Sequence, residues 1–379
     1  MMSAKTGTAI GAQIHRGFCD DLHVVEIKTP VVSEFHITAV PKHGEPFSGA
    51  VERLAQVLQT IDATVVRQII FGAAKACPAA LEILRRELDD PHLPVTWVEG
   101  AACDGGDIAG IQVHAVRGVG IRTYAAGEAV ARVWDDGLAR HCVCNNALPA
   151  RSLISPTEQA CEVFQALQTG LASAGMGLND VARTWFYLNG ILTWYDGFNR
   201  VRNGVFAEGG IRCATAPAST GIGARNPSGR ALIGVAWAVR ANDGQPVVEF
   251  VASPRQCPAP KYGSAFSRAV EIRGGGFRQL LVSGTASISP DGRTEHPGDS
   301  RAQIELSMQV AEAILTSRGM TFADVSRATA YFRSPVDAPL FSGWLARGGL
   351  QGMPVVNARC DICRDDLLFE IELDAVGLD

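Results

Sequence analysis

The apolar positions of this chain recur in two rhythms. Phe164, Leu167 and Leu171 fall on one face at helical spacing. Ser155-Pro156-Thr157-Glu158 stands ahead of them as a Ser-x-x-Glu capping pattern with proline at the first helical position, so a helix is predicted to begin there. Met308, Ala311 and Leu315 form a second such face behind Ser300-Arg301-Ala302-Gln303, a Ser-x-x-Gln pattern that predicts a second start. Both helices run out at Gly-Met, Gly175-Met176 and Gly319-Met320, where glycine supplies the left-handed residue of a helix end. Strand-like runs follow, VARTWFYL from Val181 and VSRATAYF from Val325.

These segments are copies of one unit. Residues 159–188 recur as 303–332 at one constant offset, which pairs Arg183 with Arg327 and Tyr187 with Tyr331. A weaker third copy lies upstream, with Val51, Leu54, Leu58 and Ile61 as its helical face and VVRQIIFG from Val65 as its strand; it shares Val-x-Arg through Arg67. Each copy is followed by a variable helical loop, a proline near a strand start (Pro94, Pro217, Pro354) and a closing apolar strand. Hairpins are predicted ahead of the helices, as over 279–289 with turn residues Pro290-Asp291-Gly292. Grouped strands with helices packed on one face predict α+β modules with mixed sheets rather than a doubly wound sheet. The lack of a Gly-x-Gly-x-x-Gly turn agrees. The chain divides into a degenerate N-terminal module (1–130), a central module (131–245) and a C-terminal module (246–379).

Composition narrows the function classes. The formal net charge is -5 with no Lys/Arg cluster, so nucleic acid is not an expected partner. No apolar run reaches the roughly 18 residues of a membrane helix, and residues 1–14 lack the apolar stretch of a signal peptide, so a soluble cytoplasmic protein is expected. The ten cysteines read as reduced thiols. Cys142/Cys144, beside His141, and Cys360/Cys363 are spaced like metal ligands but lack a knuckle-like context, and the histidines form no ligand spacing, so no metal is expected. With no Gly-x-Ser-x-Gly elbow and no Walker loop, a zinc hydrolase, a serine esterase and an NTPase are disfavoured.

Candidate chemistry lies where the copies differ. Over 367–373, Phe369, Ile371 and Leu373 alternate with Glu370, Glu372 and, just beyond, Asp374. Period two puts the carboxylates on one face, which is either a solvated acidic face or a crowded set in which one carboxyl stays protonated. The matching run 231–239 carries no carboxylate, and Gly234 falls about where Glu370 does. Residues 217–223, including Ser219, Thr220 and Gly221, are small and hydroxylated, which suits either backbone donation to an anion or a tight loop. Arg212, Arg225 and Arg230 flank it, and Arg202 follows the aromatic cluster at Trp194-Tyr195. Arginine suits a bidentate grip on carboxylates. Arg67, Arg183 and Arg327 recur in every copy and read as scaffold.

The helix–Gly-Met–Asp-Val-x-Arg–strand unit, closing with Phe369-Glu370-Ile371-Glu372, resembles the YjgF/RidA superfamily of small α+β subunits that form trimers with sites between neighbours. Arg183-Thr184-Trp185-Phe186-Tyr187, Trp194-Tyr195 with Phe198-Asn199, residues 217–223, and 363–370 are similar to the chorismatases, from about Arg132 to the C-terminus. That resemblance implies fused YjgF/RidA-like modules in a pseudo-trimer, a monomer sufficing, and hydrolysis of chorismate to pyruvate plus 3-hydroxybenzoate, 4-hydroxybenzoate or a dihydroxycyclohexadiene carboxylate. It implies no cofactor. Glu370 becomes the acid; Ser219, Thr220, Gly221, Arg202, Arg212, Arg225, Arg359, Cys363 and Tyr187 become the substrate-binding candidates. Cys363 reads equally as a pocket residue that tunes the product and as a buried strand thiol. A RidA-like imine deaminase is the rival, but its carboxylate-binding arginine lies two residues after the module's proline, where this chain has Ser219 and Val356; Arg359 would have to replace it. A non-catalytic binding module on the same scaffold is the third reading.

Overall fold

Runs such as VVRQIIF and VARTWFYL are β-branched and aromatic, side chains that pack well on a pleated surface buried on both faces, and both form fully buried central strands. The computed structural model describes residues 11–19, 22–42, 44–243 and 247–379. Residues 1–10 and the predicted module boundary at 245/246 lie outside the described residues.

The first module holds β1 (Gln13–Cys19), β2 (Leu22–Lys28), β3 (Ser33–Ala39), α1 (Phe47–Ile61), β4 (Thr64–Gly72), α2 (Cys77–Leu88), β5 (Val95–Val98), β6 (Ala101–Ala102) and β7 (Ile108–Arg117). The second holds β8 (Arg122–Ala126), β9 (Ala129–Asp135), β10 (Ala139–Ala147), α3 (Pro156–Ser173), β11 (Val181–Leu188), α4 (Ile191–Glu208), β12 (Ala218–Gly223) and β13 (Leu232–Ala241). The third holds β14 (Val248–Val251), β15 (Ala269–Gly274), β16 (Phe277–Ala286), α5 (Ser300–Ser317), β17 (Val325–Phe332), α6 (Ala338–Arg347), β18 (Val355–Arg359) and β19 (Phe369–Leu378).

Among the described residues the strands form three sheets of one topology: β1-β2-β3-β7-β4-β5, β8-β9-β10-β13-β11-β12 and β14-β15-β16-β19-β17-β18, with β6 added at the last edge. The N-terminal copy, weak in sequence, is thus complete in architecture. β8 falls within residues 1–130 yet pairs with β9, so the join between the first two sheets lies between Arg117 and Arg122. In every module the strand that starts directly after the noted proline, β5, β12 or β18, runs parallel to β4, β11 or β17. Each helix pair buries an apolar stripe on one face of its sheet, making a core per module around Leu54, Leu167 or Met308. The opposite faces meet in a central core that includes Trp185, Tyr187, Tyr331 and Phe71. Each fully buried side chain of this kind contributes roughly 1.5–3 kcal/mol.

Several local expectations change. Ser155 is the N-cap of α3 with Glu158 closing the box, but α5 is capped one residue before Ser300, by Asp299, whose side chain accepts from the Ala302 N–H. Gln303 instead braces the chain, donating to the carbonyls of His296 and Asp366 and accepting from the Leu368 N–H. The hairpin over 279–289 stops at Ala286; beyond it a single bridge, Ile288 with Thr294, spans the turn. No helix among the described residues is long and apolar enough to cross a membrane.

Candidate active site

The edge strand β12 docks on the third module. The Ser219 N–H donates to the Ser283 hydroxyl at 2.9 Å, and the Gly284 N–H donates to the Thr220 hydroxyl at 3.1 Å. Residues 217–223 are therefore not a tight turn: 218–223 form a strand that pairs with β11 and meets the neighbouring module through Ser219 and Thr220. Alternation along this strand turns Ser219 and Gly221 into a cleft and Thr220 towards the core.

That cleft is a cavity of about 140 Å³ between the second and third modules. One wall is α4, which presents Tyr195, Asn199 and Arg202; the other comprises Phe266, Arg268, Cys363, Arg364 and Glu370. The cations are held. Arg202 donates to the Asn199 side chain at 2.7 Å, Arg268 donates twice to the Cys257 carbonyl at 2.8 and 3.0 Å, and Arg364 donates to the Gly292 carbonyl at 2.8 Å. Arg202 and Arg268 both flank the Phe266 ring, at 5.7 and 5.5 Å from its centroid.

The acidic face of β19 is buried throughout: Glu370 is 4% exposed, and Glu372 and Asp374 are fully covered. The solvated-face reading is thereby excluded. Burial, and next the negative charge of Glu372, push the Glu370 carboxyl up to about 8, against the opposing pull of Arg183 and Arg268. Burial would raise Glu372 as well, but Arg327, Arg183 and the Thr220 hydroxyl bring it down to about 2. Its Oε2 accepts from Arg183 at 2.5 Å and from Thr220; its Oε1 accepts from Arg327 at 3.0 Å and the Tyr331 hydroxyl at 3.3 Å. Two carboxyls of one kind thus take opposite protonation states at neutral pH.

Of the predicted site residues, Ser219, Gly221, Arg202, Cys363 and Glu370 line this cavity. Thr220 meets Arg183 and Glu372 instead. Tyr187 is buried in the central core, edge-on to Phe71. Arg225 and Arg359 line a different cavity, with Glu99 and Asp361, and Arg212 is exposed away from both. Phe266, Arg268 and Arg364 were not anticipated. Arg268 lies at the mouth of a strand with no periodic signal, and only the Phe-x-Arg adjacency hints at it. Cys363 presents a neutral thiol, pushed up to about 12 by burial and then by Glu370. Groups able to approach a metal ion lie outside the cavity: Glu34 with His36 and His114, and Glu34 with Asp136 and His141, already joined as His114–Glu34 (2.8 Å) and His141–Asp136 (3.0 Å). Cys142 and Cys144 instead lie against α3 carbonyls.

No protein-family profile matches the chain. It is 30% identical over 214 residues to a chorismatase of Streptomyces hygroscopicus, covering 52% of this chain and 62% of that protein. It is 28% identical over 228 residues to a 3-hydroxybenzoate synthase of the same organism, covering 52% and 63%. The matched stretch therefore spans less than two thirds of these relatives' length. A chorismatase crystal structure superposes with a TM-score of 0.65 at 23% identity, over 90% of this chain and 98% of that one. The chain is similar to the chorismatases in sequence and fold. The chorismatase-like fold thus takes in the N-terminal module, where the residues gave only a weak match.

Proposed function

We propose that the chain cleaves the enolpyruvyl ether of chorismate and releases pyruvate, with Glu370 as the proton donor. The observation that carries this reading is a carboxyl held in its acid form near neutral pH in a cavity that also holds Arg202, Arg268 and Arg364. Enol-ether cleavage needs both. Glu370 delivers its proton to the terminal methylene carbon, leaving an oxocarbenium ion, and such proton delivery contributes on the order of 10²–10⁴-fold. Water adds to the cation, its proton returns to the Glu370 carboxylate, and collapse of the hemiketal releases pyruvate and the ring alcohol. In the aromatising branch the neighbouring ring hydroxyl captures the cation instead and gives its proton back to the Glu370 carboxylate. The cyclic ketal then opens by breaking one ring C–O bond as a ring C–H proton is lost, which makes the ring aromatic. The hemiketal left collapses to pyruvate and the hydroxybenzoate. The arginines offset the substrate's two carboxylates. Cys363, small and uncharged beside Glu370, is the wall we assign to the choice between branches.

A deaminase lacks its anchor, since Arg359 lies in the separate cavity. Incubation with chorismate and a pyruvate assay tests the proposal: the wild type should release pyruvate and Glu370→Gln should lose at least about 100-fold. No pyruvate from the wild type, or undiminished release by the variant, rejects the mechanism; mass analysis of the ring product identifies the branch.

A further inference from the structure

Glu372 lies two residues from the proposed acid, on the same face of β19, and is absent from the other modules at the equivalent place. Strand register makes the comparison firm. The recurring arginines Arg67, Arg183 and Arg327 stand opposite His114, Trp237 and Asp374. The next positions on that face are Gln112, Val235 and Glu372, then Gly110, Ile233 and Glu370. A carboxylate at the middle position is therefore not a requirement of the sheet, and it occurs in the one module that also bears acids on either side of it, Glu370 and Asp374.

The partners of Glu372 come from two modules. Arg327 belongs to its own sheet, whereas Arg183 and Thr220 reach it across the interface. Thr220 and Glu370 both flank Gly284: a Cβ built there would lie 3.4 Å from Thr220 Cγ2 and 2.0 Å from Glu370 Oε1. Arg183, Thr220 and Glu372 form one hydrogen-bonded layer, and Glu370 stands next to it at Gly284, within reach of the charges of Glu372 and Arg183. Glu370 also faces Tyr331 across β17, Arg268 ahead of β15, Cys363 and Arg364 ahead of β19, and Asp196 and Arg202 on α4.

Resting on the proposed acid role of Glu370, we infer that Glu372 is a positioning residue: by occupying Arg183 and Thr220 it keeps the core guanidinium from pairing with Glu370 and so preserves the acid. Without its charge, Arg183 loses its ion-pair partner, and the other carboxyls within reach of its charge are Asp374, which Arg327 holds, and Glu370. Loss of a negative neighbour and gain of a cationic one both favour the Glu370 carboxylate.

The test is a pair of variants that break the same ion pair from opposite sides. Glu372→Gln should move the alkaline limb of pyruvate release to lower pH, with at least tenfold loss at pH 7.5 and most of it recovered at pH 5.5. Arg183→Met removes the cation that opposes protonation, so its limb should move to higher pH. Carbon-13 NMR titration of labelled glutamate, assigned with Glu370→Gln, should show Glu370 titrating in those two directions whatever the substrate proves to be. A structural role alone would lower activity in both variants equally at every pH and leave the Glu370 titration in place; that result, or shifts of like sign, overturns the inference. If Glu372→Gln does not fold, Arg183→Met still decides, because an unshifted or lowered Glu370 titration sinks the idea. Wild type that releases no pyruvate but shows the opposed titrations removes the proposed reaction and leaves the role of Glu372 standing.

Discussion

Glu370 reaches the cavity past Gly284, which has no side chain to meet it. A methyl group at residue 284 would meet Glu370 Oε1 at 2.0 Å and its carboxyl carbon at 3.1 Å, and the carboxyl would have to swing away. Gly284→Ala should therefore cost activity on the order of 100-fold, as misplacement of a reacting group by about 1 Å does, with little change in melting temperature; pyruvate assay and thermal denaturation read the two. The carboxyls also set opposite pH limits. Activity should fall as pH rises through about 8, where Glu370 ionises. Glu372 is depressed on folding from its ordinary 4.5 to about 2, so its stabilisation is complete above 4.5 and lost as pH falls towards 2. Urea unfolding between pH 7 and pH 2 should show wild type losing stability over that window more steeply than Glu372→Gln.

Helix ends carry the next scale. Gly175 and Gly319 sit at φ of 70° and 68°, and the N–H groups of Met176 and Met320 reach back to the carbonyls of Leu171 and Leu315, the same C-terminal lock in both copies. Because Asp299 rather than Ser300 caps α5, Asp299→Ala should cost about 1 kcal/mol and Ser300→Ala close to nothing in urea unfolding. Helices and their repeats were legible in the sequence because caps, glycine stops and helical spacing act within one turn or two. Strand register was not. Pairing across the sheets makes Ile233 the equivalent of Glu370, one residue from the Gly234 suggested by aligning apolar runs. Arg268 and Phe266 escaped notice for a related reason: they reach the cavity from an irregular segment brought there by tertiary packing. The burial of Glu372 and Asp374 depends likewise on arginines contributed by distant strands.

At the scale of the whole molecule, the three module interfaces have diverged. Where the cleft between the second and third modules has Glu370, the one between the first and second has Ile233, with Trp97 at the place of Gly221. Between the third and first, Gly110 takes that position and Val356 closes on it: a Cβ there would meet Val356 at 2.5 Å. One acid per chain follows, so calorimetric titration of a non-reactive chorismate analogue should give one site per chain. Analytical ultracentrifugation should give the mass of one chain, since each sheet already has the neighbours a trimer would supply.

Three guanidiniums, Arg67, Arg183 and Arg327, gather round the ring of Trp185 at 4.2, 4.7 and 5.4 Å, and the acids of that core, Glu372 and Asp374, come from a single sheet. Identical subunits could not build this: each acid brought to a threefold axis would arrive in triplicate, and so would any error. Joining the copies end to end lets a mutation be sampled once, in one cleft, while the remaining two keep the molecule together. The duplicated modules are in that sense a protected background against which a lopsided charge arrangement can evolve.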